Sequence, residues 1–284
     1  MISAEEIAAD AQRVAAVALA EDGARDITSL VAVEPGQSAH ARVMARGPLV
    51  LAGLAYADAL IAAAGLLPAA WQVPDGATVD AGTVLCEPHG SLAALLRVER
   101  PMLNVLQRAC GIATLTARFV DAVASTRCRV LHTRKTTPGL RLLEIGAVLT
   151  GGGRMHRREL AHAVLVKDNH WAAMARNGRS LADALAAAKA AGATELGVEV
   201  ETVEQLDEAC RAGATRLLID NQAPDVVREW TGRARRLAPG IVIEASGGIT
   251  LDNARDYAQA GVDCISVGAL TMMPARVDLS MEVE

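Results

Sequence analysis

The second half of the chain repeats a short apolar segment followed by a helix-forming stretch, and this repeat constrains the fold more than any other feature. Ser180, Thr202 and Thr250 are placed to cap helices between the segments, and Pro224 is placed in the first turn of another helix. Strands that alternate with helices form a parallel sheet with helices on both faces, so the sequence predicts an α/β fold. The six segments are rich in β-branched residues and lie at 129–133, 163–167, 195–200, 216–219, 241–245 and 263–267.

Polar residues at the ends of the predicted strands favour a barrel over an open sheet. An open sheet gathers its site at one switch point, whereas a barrel gathers contributions from nearly every strand at its carboxyl rim. Here all six strands contribute, and we therefore predict a β/α barrel with its site at that rim. The groups at the strand ends are Arg134 with Lys135, Lys167, Glu199 with Glu201, Asp220 with Asn221, Ser246 with Gly247 and Gly248, and Gly268 with Ala269.

A cationic stretch from His132 to His170 indicates an anionic ligand. It contains two of the three lysines and four of the six histidines of the chain. It also contains five arginines against three acids, and a run of three glycines at 151–153. Because fixed positive charges and free backbone N–H groups both attract negative charge, this stretch predicts an anion-binding cleft.

The last two strands predict a phosphate site. Ser246, Gly247 and Gly248 precede a predicted helix, and Gly268 and Ala269 occupy the equivalent place one unit later. Late strands of barrels commonly hold a phosphate there, because the backbone N–H groups of the turn and helix start face the anion. For either glycine feature taken alone, a tight turn between strand and helix is the alternative.

Two acids on successive strands, Glu199 and Asp220, are candidates for a Mg²⁺ site. Glu199 and Glu201 should point to the same face of their strand, and a buried carboxylate must be paired or bind a metal. A salt bridge is the alternative for Glu199, and capping of the next helix is the alternative for Asp220. Mg²⁺ takes oxygen ligands and bridges substrate phosphates, whereas the histidines lack the spacing of a zinc site.

Composition excludes several classes of function. The net charge of −5 and the six aromatic residues argue against a nucleic-acid binder. The five cysteines are scattered without a C-x-x-C pair, which is typical of reduced thiols in a cytosolic protein. No signal peptide is recognisable, and no apolar run reaches about 18 residues, so no membrane span is expected. The residues by themselves predict a cytoplasmic enzyme for a phosphorylated, carboxylated substrate, acting with Mg²⁺.

The N-terminal half is a mixed α and β region without an obvious catalytic cluster. Ser3 and Glu6 form a capping-box pattern for a helix over 4–21. A long helical run extends from 91 to 124, with a break expected near Gly111. Arg100 lies in this run beside an acid, and a solvated helix face is the simplest interpretation of such a pair.

These motifs resemble those of the quinolinate phosphoribosyltransferase family, whose members are decarboxylating enzymes that form nicotinate mononucleotide on the route to NAD. The matching segments extend nearly from end to end of the chain. The most specific ones are Thr133–Arg134–Lys135–Thr136 and Lys167–Asp168–Asn169–His170, in this order. Other matching segments are Glu99–Arg100, Gly151–Gly153, His156–Arg157, Val198–Glu201, Leu218–Asn221, Glu244–Gly247 and Ile265–Leu270.

The resemblance implies an irregular parallel β/α barrel of fewer than eight strands plus an N-terminal α/β open sandwich domain. The sandwich domain is expected to comprise 1–110 and to be completed by 276–284, and the catalytic barrel is expected to comprise 111–275. In the family, subunits pair so that the N-terminal domain of one covers the barrel mouth of the other. We therefore expect a homodimer with sites shared between subunits, and a hexamer is left open.

The resemblance also implies roles for individual residues. The pocket for the two quinolinate carboxylates is expected to contain Arg134, Lys135, His156 and Arg157, with Arg100 donated by the neighbouring subunit. The side that holds phosphoribosyl pyrophosphate and Mg²⁺ is expected to contain Lys167, Glu199 and Asp220, with the two carboxylates as direct or indirect metal ligands. The 5′-phosphate cradle is expected to comprise Ser246, Gly247, Gly248, Gly268 and Ala269. The expected catalytic residues are Lys135, Lys167, Glu199 and Asp220.

The implied activity is a glycosyltransferase reaction, more narrowly a pentosyl transfer, that converts quinolinate and phosphoribosyl pyrophosphate to nicotinate mononucleotide, pyrophosphate and CO₂. His132, Met155 and the pair Gly248–Ile249 depart from the usual family pattern and leave fine substrate preference open. A paralogous family encoded with molybdenum transport genes is the alternative, although the segment Lys167–His170 argues for the quinolinate enzyme. A non-enzymatic sensor of a phosphorylated metabolite is a second alternative.

Overall fold

The computed structural model describes residues 2–161 and 163–284, so His162 of the cationic stretch lies outside the described residues. The chain forms two compact units. The first comprises Met1–Ala117, Thr136–Gly152 and Leu270–Glu284, and the second comprises Arg118–Lys135 and Gly153–Ala269. The first unit thus includes the segment Thr136–Gly152, which the predicted domain division assigns to the barrel.

The described residues form eleven helices and twelve strands. The helices are α1 Ala4–Glu21, α2 Ile27–Ala32, α3 Leu54–Ala63, α4 Leu92–Val123, α5 Arg141–Thr150, α6 Asp168–Asn177, α7 Leu181–Ala190, α8 Val203–Arg211, α9 Pro224–Leu237, α10 Ala254–Gln259 and α11 Ala269–Met272. The strands are β1 Ser38–Ala45, β2 Leu49–Val50, β3 Thr78–Val79, β4 Val84–Cys86, β5 His89–Ser91, β6 Arg129–Leu131, β7 Ala163–Val166, β8 Glu195–Val200, β9 Arg216–Asp220, β10 Val242–Ser246, β11 Cys264–Ser266 and β12 Leu279–Val283.

The first unit is built on a small antiparallel sheet. β1 pairs with β12, β4 and β5, so a strand from the end of the chain completes a sheet begun near its start. Helix α1 has the predicted bounds and the predicted capping box, in which Ser3 and Glu6 bond each other's backbone N–H groups. It packs against α3 and buries Val14 and Leu19. Within the described residues no helix combines the length and apolarity needed to cross a membrane.

The long helix α4 is continuous, and the break predicted near Gly111 is wrong. Glycine costs a helix about 1 kcal/mol relative to alanine, which is why a break was expected. Here the missing side chain allows a close approach instead. A Cβ atom on Gly111 would lie 2.4 Å from the carbonyl oxygen of Ala275. Packing within the first unit therefore requires glycine at a position where the backbone itself stays helical.

The second unit contains a six-stranded parallel sheet in the order β6-β11-β10-β9-β8-β7. Successive strands from β7 to β11 are neighbours, and the first strand, β6, pairs with the last, β11. This pairing of first and last strands is the order of a barrel and not of a doubly wound sheet. An isolated parallel bridge between Leu131 and Arg154 extends the sheet beyond β6. The predicted α/β class and the parallel barrel topology with fewer than eight strands are therefore confirmed.

Most predicted helix starts in the second unit are confirmed. Ser180 caps α7, Thr202 caps α8 through a capping box with Gln205, and Pro224 is the first residue of α9. The cap predicted at Thr250 is wrong, because α10 begins only at Ala254. The intervening residues form a turn in which the side chain of Asn253 accepts a hydrogen bond from the Thr250 N–H.

Candidate active site

The strand register brings predicted site residues of the second unit to one carboxyl rim. Asp220 pairs with Ser246, and Ser246 pairs with Ser266, so β9, β10 and β11 end level. Lys167 follows the last residue of β7, and Glu199 follows the β8 residue paired with it. Parallel strands thus place residues from distant parts of the sequence side by side, as the barrel prediction requires.

Lys167 and Glu199 form an ion pair, with Nζ of the lysine 2.6 Å from Oε2 of the glutamate. Glu199 is only 7% exposed, whereas the Lys167 side chain is 43% exposed. The lysine therefore compensates a buried carboxylate while its amine still reaches the rim. The salt bridge considered as an alternative for Glu199 is present. Glu201 lies beyond the end of β8 and is exposed, so it does not share the buried position of Glu199.

Asp220, Asn221 and Gly247 form a tight corner at the ends of β9 and β10. Asn221 has a positive φ of 53° and donates from Nδ2 to Asp220 at 2.6 Å. Gly247 has a φ of +85°, and a Cβ atom there would lie 2.1 Å from Oδ1 of Asn221. Only glycine fits this contact. Asp220 does not cap the next helix, because α9 begins at Pro224 without a side-chain cap.

The remaining cradle residues lie at the ends of β10 and β11. Gly248 has a φ of +61° and open space where a side chain would begin. Gly268 faces Lys135, since a Cβ atom on this glycine would lie 3.3 Å from Cδ of the lysine. Lys135 is exposed, and its backbone N–H donates to Oγ1 of Thr133 at 3.2 Å. Ala269 is the first residue of α11. The lysine stem thus borders the predicted phosphate cradle.

Two neighbouring arginines, Arg134 and Arg157, form the cationic part of the rim. Burial lowers the pKa of Arg157, and the positive charge of Arg134 lowers it further. Nη1 of Arg157 donates to the carbonyl of Ala163 at 3.3 Å. Nε of Arg134 is buried and has no hydrogen-bond partner among the described residues. Binding of an anion here would offset the repulsion between the two arginines, and it would give the buried Nε donor of Arg134 a partner.

His156 lies beside Glu244, a buried acid for which the sequence motifs predicted no role. Its Nε2 atom lies 3.3 Å from Oε2 of Glu244, at ion-pair distance but without hydrogen-bond geometry. Burial acts to raise the pKa of Glu244, which is fully buried, but the neighbouring His156 ring, a hydrogen bond from Ser266 and the charge of Arg216 outweigh it. The pKa of Glu244 is therefore lowered, and this carboxylate is ionised.

Arg216 completes this buried network. Its Nη1 atom donates to Glu244 at 2.8 Å, and its Nη2 atom donates to Glu195 at 3.0 Å. The sequence carried one signal for Glu244, which is an acid inside an apolar strand two residues before Ser246 and so on the same face. Its partners could not be found from the sequence, because they come from other strands.

Arg100 is the one predicted site residue that belongs to the first unit. It is exposed on α4 and lines a cavity of about 330 Å³ within that unit. Other residues lining this cavity include Arg13, Asn104, Arg108 and Pro138. Such a position is open to a ligand or a second protein surface.

The acids of the rim do not form a complete metal cage. Among residues 2–161 and 163–284, no group of three or more His, Cys, Asp and Glu side chains could hold a metal ion. Glu199 is paired with Lys167, and Asp220 accepts a hydrogen bond from Asn221. One or two carboxylates at this rim suit Mg²⁺ that arrives with substrate phosphates and retains some of its water ligands.

Sequence comparison matches both parts of the chain to domains of one protein family. Residues 26–110 match the N-terminal domain of quinolinate phosphoribosyl transferase, and residues 112–282 match its C-terminal domain. The chain belongs to the quinolinate phosphoribosyl transferase family. The family assignment confirms the resemblance seen in the sequence motifs.

Individual relatives of this family extend over most of the chain. A probable nicotinate-nucleotide pyrophosphorylase [carboxylating] of Bacillus subtilis is 44% identical over 74% of this chain and 71% of its own length. The nicotinate-nucleotide pyrophosphorylase [carboxylating] of Mycobacterium leprae is 38% identical over 91% of both chains. The solved structure of nicotinate-nucleotide pyrophosphorylase from Francisella tularensis is 31% identical and superposes with a TM-score of 0.89, covering 98% of this chain and 97% of that chain.

Proposed function

We propose that the protein transfers the phosphoribosyl group of phosphoribosyl pyrophosphate to quinolinate, and that decarboxylation then gives nicotinate mononucleotide, pyrophosphate and CO₂. The names of the relatives, nicotinate-nucleotide pyrophosphorylase [carboxylating], describe this reaction in its reverse direction. The observation that carries the proposal is the arginine pair, Arg134 and Arg157, on the same unit as the Lys167–Glu199 pair and the glycine corner. A dicarboxylate and a phosphorylated sugar match these features in charge.

Quinolinate is a planar pyridine with two adjacent carboxylates. A guanidinium group can grip one carboxylate through two parallel hydrogen bonds, so Arg134 and Arg157 together can hold both. Lys135 and His156, which follow and precede these arginines in the sequence, would supply further cationic or hydrogen-bonding groups. The unused Nε donor of Arg134 supports this pocket, because it is a buried polar atom without a hydrogen-bond partner among the described residues.

Phosphoribosyl pyrophosphate fits the other part of the rim. Backbone N–H groups at the positive-φ turns of Gly247 and Gly248 and at the start of α11 would bind a 5′-phosphate. Lys167 would neutralise the departing pyrophosphate, and the carboxylate of Asp220 would face the positive charge that develops on the ribose.

Mg²⁺ is part of this proposal. Asp220 and Glu199 would provide oxygen ligands, directly or through water, to an ion carried by the pyrophosphate. The chemistry supplied by the bound ion is neutralisation of phosphate charge. Removal of Mg²⁺ with a chelator should abolish turnover, and added Mg²⁺ should restore it. Full activity in the presence of excess chelator would exclude this part of the proposal.

Decarboxylation, the second chemical step, depends mainly on the substrate and less on protein side chains. Once the ring nitrogen carries the ribose, its positive charge accepts the electron pair released when the adjacent carboxylate leaves as CO₂. Arg134 and Arg157 orient the ring until this bond breaks. The electron pair left on that ring carbon then takes up a proton from solvent, which completes nicotinate mononucleotide.

The proposal is tested with purified protein, quinolinate, phosphoribosyl pyrophosphate and Mg²⁺. We expect pyrophosphate, CO₂ and nicotinate mononucleotide in equal amounts. Nicotinate should be a poor substrate, because it has one carboxylate and leaves one arginine unpaired. Efficient turnover of nicotinate, or pyrophosphate release from another anion only, would point to a different phosphoribosyl transfer. Binding without any turnover would indicate the sensor alternative.

We also propose a homodimer in which Arg100 completes the pocket of the neighbouring subunit. Arg100 and Lys135 would then serve different sites of one dimer, each built from both chains. Arg100→Ala and Lys135→Ala homodimers should both be inactive. After subunit exchange, about half of the molecules should be heterodimers with one intact site, so activity should recover to roughly a quarter of wild type. No recovery despite verified heterodimers would show that Arg100 serves its own subunit.

The cellular location is proposed on the state of the cysteines. All five are free and buried, and burial raises the pKa values of Cys86 and Cys110 to about 12. Unpaired, unreactive thiols are typical of proteins in reducing compartments. This supports a cytoplasmic enzyme supplied with soluble substrates.

A further inference from the structure

His132 is fully buried directly after β6. Its ring accepts a hydrogen bond from the backbone N–H of His156, with 3.0 Å between that nitrogen and Nε2. This bond replaces a backbone contact of the sheet. Arg154 still donates to the carbonyl of Val130. In a regular parallel ladder the N–H of His156, two residues after Arg154, would donate to the backbone carbonyl of His132. Here it donates to the ring of His132 instead.

The partners of the ring define its protonation state. A ring nitrogen that accepts from a backbone N–H carries no proton, so Nε2 is unprotonated. Nδ1 lies 3.1 Å from the carbonyl oxygen of Thr133, which can only accept, so Nδ1 carries the proton. Nε2 also lies 3.4 Å from the sulfur of Met155, which has no proton to donate. His132 is therefore the neutral tautomer with hydrogen on Nδ1.

The same ring thus contacts both segments that carry the cationic pocket. The segment after β6 provides Arg134, two residues after His132. The second segment provides Arg157, directly after the residue whose N–H the ring holds. The ring of His156 lies beside the buried Glu244, with 3.3 Å between Nε2 of His156 and Oε2 of the acid. The backbone of His156 is consequently bonded to the His132 ring, and its side chain lies at ion-pair distance from a buried acid.

We infer that His132 is a positioning residue, whose Nε2 acceptor sets the placement of His156 and Arg157 for the dicarboxylate and has no part in the phosphate side. This inference rests on the proposed function. It implies that the requirement is for an acceptor at the position of Nε2, and not for a histidine as such. Glutamine can place its side-chain oxygen near that position, whereas the shorter asparagine reaches only the position of Nδ1.

The test compares His132→Gln with His132→Asn, two polar variants of similar character. We expect His132→Asn to raise the KM for quinolinate about tenfold, because a buried N–H loses its acceptor, while the KM for phosphoribosyl pyrophosphate stays unchanged. His132→Gln should keep the KM for quinolinate within about twofold of wild type. His40→Leu, which removes an exposed histidine of the first unit, is the control and should leave both constants unchanged.

Nitrogen chemical shifts of labelled histidine in the folded protein supply a second readout, which depends on no variant. They should report His132 as neutral with its proton on Nδ1. A proton on Nε2, equal KM values in the Asn and Gln variants, or a parallel rise in both KM values would overturn the inference. Wild-type turnover of quinolinate is measured in the same series. Absence of turnover would refute the proposed function. The chemical shifts would still test the tautomer of His132 independently.

Discussion

Replacement of Arg157 by methionine gives the sharpest prediction for the anion pocket. Methionine retains much of the apolar stem but removes the guanidinium group. Truncating one partner of a buried charge pair costs about 2–5 kcal/mol. Arg157 is only partly buried, and among the described residues it makes a long hydrogen bond of 3.3 Å to the carbonyl of Ala163. We therefore expect the lower part of this range, about 2–3 kcal/mol.

This loss corresponds to an increase of about 30- to 150-fold in the KM for quinolinate, because each 1.4 kcal/mol is about a factor of ten. The assay is pyrophosphate release at saturating phosphoribosyl pyrophosphate. Arg154→Met is the matched control, since Arg154 is exposed in the same segment and loses an identical charge. A KM within about twofold of wild type for Arg157→Met would refute the assigned grip on a carboxylate.

The same substitution should not destabilise the ligand-free protein. Burial and the charge of Arg134 lower the pKa of Arg157, so its protonated form is disfavoured in the folded state relative to the unfolded state. This cost exists wherever Arg157 is charged, that is, at every pH below its folded-state pKa. The Tm without ligand should therefore stay equal or rise, while the stabilisation by quinolinate falls. A large drop in the ligand-free Tm would mean that Arg157 has a structural role instead.

Two further substitutions test the corner and the first unit. Gly247→Ala should raise the KM for phosphoribosyl pyrophosphate at least about tenfold, because its Cβ would lie 2.1 Å from Oδ1 of Asn221. Gly248→Ala should have a smaller effect, because its Cβ meets no atom within 4 Å and only the backbone is strained. Equal effects of the two alanines would contradict the steric argument. Arg108→Met removes two bonds, of 3.0 and 2.7 Å, to the fully buried Glu144 and should cost about 3–5 kcal/mol, seen as a Tm lowered by roughly 6–15 °C. An unchanged Tm would show that the buried acid is satisfied without this arginine.

Local signals in the sequence determined the elements and the types of chemistry. Alternating β-branched segments and helix caps predict parallel strands, because side-chain periodicity and capping depend on residues a few positions apart. For the same reason Arg134, Lys167, Glu199 and Asp220 could be assigned to strand ends without a structure. Their grouping at one rim followed from a general property of parallel barrels.

Only the tertiary structure decided which distant groups meet. Glu244 and Arg216 are 28 residues apart, and His132 and His156 are 24 residues apart, yet each pair is within hydrogen-bond distance. The same holds for Gly111, where the approach of Ala275 explains a glycine that local propensity interprets as a helix break. Such contacts depend on which strands and segments become neighbours and on their register. These are set by packing of the whole unit, because no local preference of the chain encodes the partner of a buried charge.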